Sequence, residues 1–158
     1  MSKNQKIDEK DRQIIRTLQR NGRMTNQDLA AAVNLSPTPC LRRIRLLEQS
    51  GVIKGYGVEI DSDMYGLPVT VFVRVSLDRH TEANVKQFEQ AMSKIDAVLE
   101  CYMMTGVSDY LLKVIVADLS DYETFVRKHL HPIGGIASID SSFVYGVVKK
   151  SGVFPMIG

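Results

Sequence analysis

Residues Thr25 to Gln49 read TNQDLAAAVNLSPTPCLRRIRLLEQ, and this stretch decides how the first third of the chain folds. Thr25 with Asp28 three residues on resembles a capping box, and Leu29, Ala30 and Val33 repeat at helical spacing. Asn34-Leu35 leaves too little chain for anything but a tight turn. Ser36 followed by Pro37 then gives an N-cap with proline at the first helical position. On a helical wheel Cys40, Ile44 and Leu47 share one arc, with Leu41 at its edge, whereas Thr38, Arg42, Arg45 and Gln49 cluster opposite and Arg43 lies on a flank. Two short helices and a tight turn, the second helix amphipathic and outwardly basic, are the pattern of a helix-turn-helix.

Upstream, Asp8 can cap a helix with Asp11 at N3 and Ile14, Ile15 and Leu18 as its apolar stripe; Asn21-Gly22 is expected to end it through the left-handed freedom of glycine. Downstream, Gly51 closes the basic helix, and Val52 to Ile60 reads as a strand with a glycine-bearing turn, the wing expected after such a helix pair. Asp61 to Pro68 has turn chemistry without apolar period and marks a domain boundary. The predicted layout is a helix-turn-helix domain over 1–51, a wing and linker strand over 52–67, and a second domain over 68–158.

Charge follows this division. Residues 1–50 hold ten Lys and Arg against five Asp and Glu, whereas 51–158 hold ten against thirteen, so a basic head precedes a mildly acidic body. That suits a head that meets a polyanion, although small helical domains are also basic for solubility. As a DNA reader, the second helix would bring Arg42 and Arg45 to guanine edges while Ser36, Thr38 and Arg43 hold phosphates, with Lys54 placed where a wing touches the backbone. The alternative is a solvated helix face.

The second domain reads strand, helix, strand, strand, helix, strand. Val69–Leu77 alternates. Residues 81–94 are amphipathic through Val85, Phe88, Ala91 and Met92, and Val98–Thr105 and Tyr110–Ala117 flank a hairpin turn. Ser120 with Glu123 is read as the cap of a helix carrying Tyr122, Phe125, Val126 and Leu130; Pro132–Gly135 breaks it, and Ile136–Val148 supplies the last strand. The order βαββαβ is a ferredoxin-like split, so the fold class is α+β. Such a sheet carries helices on one face only, and Phe72, Met104, Val114 and Val144 suggest a partner subunit covering the other.

Catalytic and metal chemistry finds no foothold. His129 and His131 point to different helix faces, His80 is solitary in a turn, and Asp61/Asp63 lack the downstream Glu of a calcium loop. There is no Walker loop, GxSxG or GxGxxG, so neither an enzyme nor a cofactor is expected. Cys40 and Cys101, far apart and without CxxC spacing, are expected as reduced buried thiols. No segment has the apolar length of a membrane span, and a cytoplasmic location is expected.

Both halves together resemble the Lrp/AsnC, or feast/famine, transcription regulators. The resemblance rests on Asn21-Gly22-Arg23, Leu35-to-Leu41 (LSPTPCL), Arg43-to-Glu48 (RIRLLE), Gly51-to-Tyr56 (GVIKGY), and Gly106 with Asp109-to-Leu112 (DYLL). It implies a winged helix-turn-helix reading DNA, Pro39 among its contacts, and a C-terminal ligand-sensing sandwich (a RAM domain). It also implies dimers that assemble further, commonly to octamers, with a free amino acid bound between dimers. The effector loop then falls on Met103, Met104, Thr105, Gly106, Val107, Ser108, Asp109 and Tyr110, closed by the neighbouring dimer's Pro132–Ile139. In it the turn amides would take the carboxylate, Asp109 the ammonium, and the two methionines an apolar side chain. Val107 stands where many relatives carry an acid, which favours leucine or methionine as effector. The competing expectation is a DNA-architectural protein that senses nothing.

Overall fold

Asp8 accepts the Asp11 amide at 2.8 Å while the Asp11 carboxylate accepts the Asp8 amide at 3.2 Å, and this reciprocal cap starts the first helix, α1 (Glu9–Arg20). The structure, a computed structural model, describes residues 7–157. It divides into two units, one formed by the chain through Glu59 together with Lys149 onward, the other by Ile60–Val148.

In the first unit α2 (Asn26–Ala32) and α3 (Pro37–Gln49) follow α1. Thr25 caps α2 through the Asp28 amide, but Asp28 returns only to the Thr25 hydroxyl, at 2.7 Å, and not to its amide, so the capping box is half formed. Asn34 takes a left-handed conformation at φ 53° between α2 and α3, which a short polar side chain tolerates. The end of α1 differs from expectation. Its cap is Asn21 in an extended conformation, and Gly22 has no positive φ. At the other end of α3, Gly51 does take φ 76°. Ile14, Leu29, Ala30, Val33, Cys40 and Leu47 form the core, each large apolar side chain contributing about 1.5–3 kcal/mol by leaving water. Lys10 donates to the Val33 carbonyl at 2.7 Å, placing a cation at the negative end of α2.

The expected wing strand is absent among the described residues: 54–60 belongs to no ladder, and Tyr56, Val58 and Ile60 are exposed. Alternation makes a strand only where a second strand supplies hydrogen bonds, and the described residues of this unit contain none. The chain's end is held here instead of in the second domain. Arg16 donates to the Phe154 carbonyl at 2.8 Å, Gln19 donates to the Gly152 carbonyl at 2.8 Å and accepts the Phe154 amide at 3.1 Å, and Lys150 pairs with Glu59.

The second unit begins with one helical turn, α4 (Ser62–Tyr65), and continues as β1 (Val69–Leu77), α5 (Glu82–Met92), β2 (Val98–Met103), β3 (Tyr110–Val116), α6 (Leu119–Phe125) and β4 (Ile136–Phe143). All pairings are antiparallel, in the order β2-β3-β1-β4 of a ferredoxin-like sheet. Val71, Val73, Val75, Leu112 and Val114 bury completely against Phe88, Met92, Phe125 and Leu130. Val114 thus faces the helices, not the uncovered face, because it shares the parity of Leu112 in β3. The uncovered face mixes Phe72, Leu111 and Ile115 with the pairs Arg74–Asp140 and Lys113–Glu100. The cap of α6 is Asp118, not Ser120; its carboxylate takes the Asp121 amide at 2.9 Å two residues before the serine could act. The last turn widens into a π-helical turn over Val126–Leu130. Cys40 is buried as expected, whereas Cys101 is exposed because β2 is an edge strand.

Candidate DNA-reading helix and effector turn

The packing of α3 settles which of its side chains are available. Cys40 and Leu47 are wholly buried, so Thr38, Arg42 and Arg45 turn to solvent, and Ser36 and Pro39 are exposed at the helix start. Although Ser36 occupies the cap position, its side chain makes no cap hydrogen bond and its hydroxyl is left for another acceptor or donor. Asn26 fixes this end of the helix by donating to the Pro37 carbonyl at 2.9 Å.

Arg43 does something else. One nitrogen of its guanidinium lies 2.7 Å from Asp8 and 2.8 Å from Asp11, with the Asp11 carboxylate nearly buried. The Asp11 amide first, then Arg43, holds the Asp8 carboxyl below the usual carboxylate range, and hydrogen bonds to Asp11 and Asp8 raise the arginine's own pKa. Arg43, expected from the sequence to hold a phosphate, thus also ties α3 to α1.

Lys54 is exposed, and Tyr56 two residues on clasps the segment that carries it. The Tyr56 hydroxyl donates to Glu48 at 2.8 Å and its ring lies over Gly22, where an added Cβ would sit 3.8 Å from the ring. Burial, then the Glu48 carboxylate, pushes this phenol up to about 12. By sequence the first unit holds thirteen Lys and Arg against six Asp and Glu, the second seven against twelve. The net charges are +7 and −5, a sharper polarity than a cut at residue 50 shows, since Lys149 and Lys150 join the basic unit.

At one end of the second unit's sheet, the β2–β3 turn closes with the Met104 amide on the Asp109 carbonyl at 2.8 Å, and Gly106 provides a φ of 124°. Met103, Met104 and Val107 are exposed, Val107 fully, and Thr105 and Gly106 are exposed beside them. Ser108 is half-buried. Tyr110 departs from the expected contact set: it is 3% exposed, its ring packs 4.5 Å from that of Phe88, and its hydroxyl donates to Glu89 at 3.1 Å. Burial, then Glu89, pushes its phenol up to about 12. It is a wall of the core and also lines a groove of about 450 Å³ together with Met92, Cys101 and Met103.

Asp109 is not free either. One carboxylate oxygen accepts the Leu77 amide at 2.7 Å and the other lies 2.6 Å from His80 Nε2. The Leu77 amide first, then His80, holds the carboxyl below its usual range. His80, read from sequence as solitary, is brought there because Val75 pairs with Tyr110, so the residues just past β1 meet those just before β3. The 132–136 turn of the same chain reaches this end too: the Asp78 amide donates to the Gly135 carbonyl at 2.9 Å, and Gly135, at φ 87°, leaves no room for a Cβ against Asn84.

Comparison with known proteins matches residues 7–54 to the family model for winged helix-turn-helix DNA-binding domains and residues 70–154 to the model for the Lrp/AsnC ligand binding domain. The chain is 40% identical over 150 residues to the Bkd operon transcriptional regulator of Pseudomonas aeruginosa, covering 95% of this chain and 98% of that protein. It is 37% identical over 145 residues to the leucine-responsive regulatory protein of Escherichia coli, covering 92% and 88%. Among solved structures, a transcriptional regulator of Neisseria meningitidis in complex with L-Met superposes with a TM-score of 0.90 at 35% identity, over 94% of this chain and 96% of that one. No helix among the described residues is long and apolar enough to cross a membrane.

Proposed function

Because the chain belongs to the Lrp/AsnC family of transcriptional regulators, a DNA-binding and not an enzymatic family, we propose that it reads DNA with α3 under the control of an apolar amino acid. The observation that carries the DNA half is the outward pair Arg42 and Arg45, which make no hydrogen bond or ion pair among the described residues. These two read base edges, Ser36, Thr38 and Pro39 set the helix start against the backbone, and Lys54 takes a phosphate. Arg43 is left out of this set because Asp8 and Asp11 already hold it.

The effector half rests on the exposed Met103, Met104 and Val107 around a glycine turn, an adaptable apolar surface. Leucine or methionine fits that surface best. The leucine-responsive relative and the L-Met complex of the structural relative agree in ligand class. A second copy covers the mixed face of the sheet that carries Phe72, Leu111 and Ile115, and dimers assembled further, to octamers, enclose the turn between them.

Calorimetry with a panel of free amino acids tests the sensing half, with leucine and methionine expected to bind and basic amino acids to fail. A protein that binds DNA but no amino acid is architectural instead. For the DNA half, affinity for promoter fragments is expected to fall with salt by about 0.9 log units per log unit for each phosphate contact, and a flat response rejects the DNA role.

A further inference from the structure

Asp109 is the one acidic side chain between Met103 and Tyr110, and therefore the natural partner for an effector's ammonium. Its two oxygens are both engaged within the chain, by the Leu77 amide at 2.7 Å and by His80 Nε2 at 2.6 Å. The two contacts are not equivalent. The Leu77 bond ties the carboxylate to the end of β1 through backbone and cannot leave without bending that strand. The His80 bond comes from a side chain that is 65% exposed, whereas Asp109 is only 27% exposed, so the ring stands on the solvent side of the carboxylate.

Resting on the effector reading above, we propose that His80 is a specificity-determining residue of that site: its imidazole competes with the effector's ammonium for Asp109. A carboxylate oxygen retains a second lone pair, so the ring does not forbid a further donor. It does lie across the approach, and it already donates to the charge that an ammonium would seek. Binding then exchanges one internal hydrogen bond for one from the ligand. A ligand must bring an ammonium plus enough apolar contact with Met103, Met104 and Val107 to make that exchange favourable. Small polar amino acids bring only the first, which selects for a long apolar side chain without any acidic group at Val107. The displaced ring belongs to the same loop as Asp78, whose amide holds the Gly135 carbonyl at 2.9 Å. Exchange at Asp109 is thus one hydrogen-bonded step from the turn that enters β4.

The test is calorimetry with methionine and with leucine on the full-length wild-type protein, His80→Ala, His80→Gln and Asp109→Asn, with thermal unfolding of each as a control. His80→Ala is expected to bind about three- to fivefold tighter, the range for releasing an exposed side-chain partner of a carboxylate. His80→Gln, whose amide can still donate to Asp109, is expected to return to wild-type affinity, and Asp109→Asn to bind more weakly than wild type. Unchanged or weaker binding by His80→Ala overturns the competition, and so does equal tightening by His80→Gln, which would assign the effect to ring bulk. A wild-type protein that binds neither amino acid refutes the effector reading itself, a result distinct from equal affinities across the His80 series.

Discussion

The outward face of α3 and the Met103–Tyr110 turn are both short stretches on which function was placed by residue type, and they differ in how their polar groups are held. On α3, Arg42 and Arg45 are exposed and make no hydrogen bond or ion pair among the described residues, while Arg43 is bolted to Asp8 and Asp11. At the turn, the one charged side chain, Asp109, is engaged on both oxygens and the aromatic one, Tyr110, is in the core. A helix face exposes groups by angle alone, so most of its functional residues stay available. A turn at the end of a sheet lies among other loops, and its polar groups are claimed by whatever the topology brings alongside.

The sharpest way to break that contrast is Arg43→Ala. If Arg43 is structural, its removal leaves the nearly buried Asp11 carboxylate without its cation, and stability in urea should fall by about 3 kcal/mol with DNA base preference kept. Retained stability with lost DNA affinity would place Arg43 among the readers and erase the distinction. Next comes Gly135→Ala, where a Cβ would lie 2.9 Å from Asn84 Nδ2 on a backbone at φ 87°. A loss of about 2 kcal/mol is expected, read by thermal unfolding, together with weaker amino-acid binding if the three loops act as one site. Arg42→Ala should leave the unfolding midpoint alone and reduce discrimination between operator and mutated operator by about 1–2 kcal/mol. Uniform weakening on all sequences would make Arg42 a phosphate anchor.

Smaller effects test the turn. Since the folded Asp109 pKa is depressed, its contribution to stability is complete above the unfolded carboxyl pKa of about 3.9 and is lost as pH falls through the lower folded value. Asp109→Asn should therefore flatten the acid limb of the stability profile below about pH 4, and an unaltered limb would mean that the Leu77 and His80 bonds do not form in solution. Gln19→Ala is expected to change global stability by under about 1 kcal/mol but to speed hydrogen exchange at the Phe154 amide, which Gln19 accepts.

Legibility in the sequence followed the range of the interactions concerned. The caps at Asp8 and Thr25, the inner face Cys40–Ile44–Leu47 and the βαββαβ order all depend on residues a few positions apart, and the structure contains them. The strand expected over Val52–Ile60 is not formed because this stretch has strand alternation but, among the described residues, no strand beside it in its unit. The α6 cap was misplaced by two residues because Asp118, in a connection after β3, outcompetes Ser120 as a nearer and charged acceptor. The partners of Arg43 and His80 and the anchoring of the tail at Gly152–Phe154 are not legible in the sequence for one reason: the separations are 138 residues for Arg16 and Phe154, 35 for Arg43 and Asp8, and 29 for His80 and Asp109. Only the last was recoverable, since βαββαβ pairing sets the end of β1 beside the start of β3.

By itself, then, the sequence determined a helix-turn-helix presenting Arg42 and Arg45, a ferredoxin-like sheet and the glycine turn that ends its β2–β3 hairpin, because periodicity, caps and turn chemistry are local. Tertiary structure alone decided which charges meet an internal partner: Arg43 pairs with Asp8 and Asp11, and Asp109 with the Leu77 amide and His80. The physical reason is that a charge attracts any donor or acceptor the fold brings within about 3 Å, and that neighbourhood is a property of chain packing rather than of chain order.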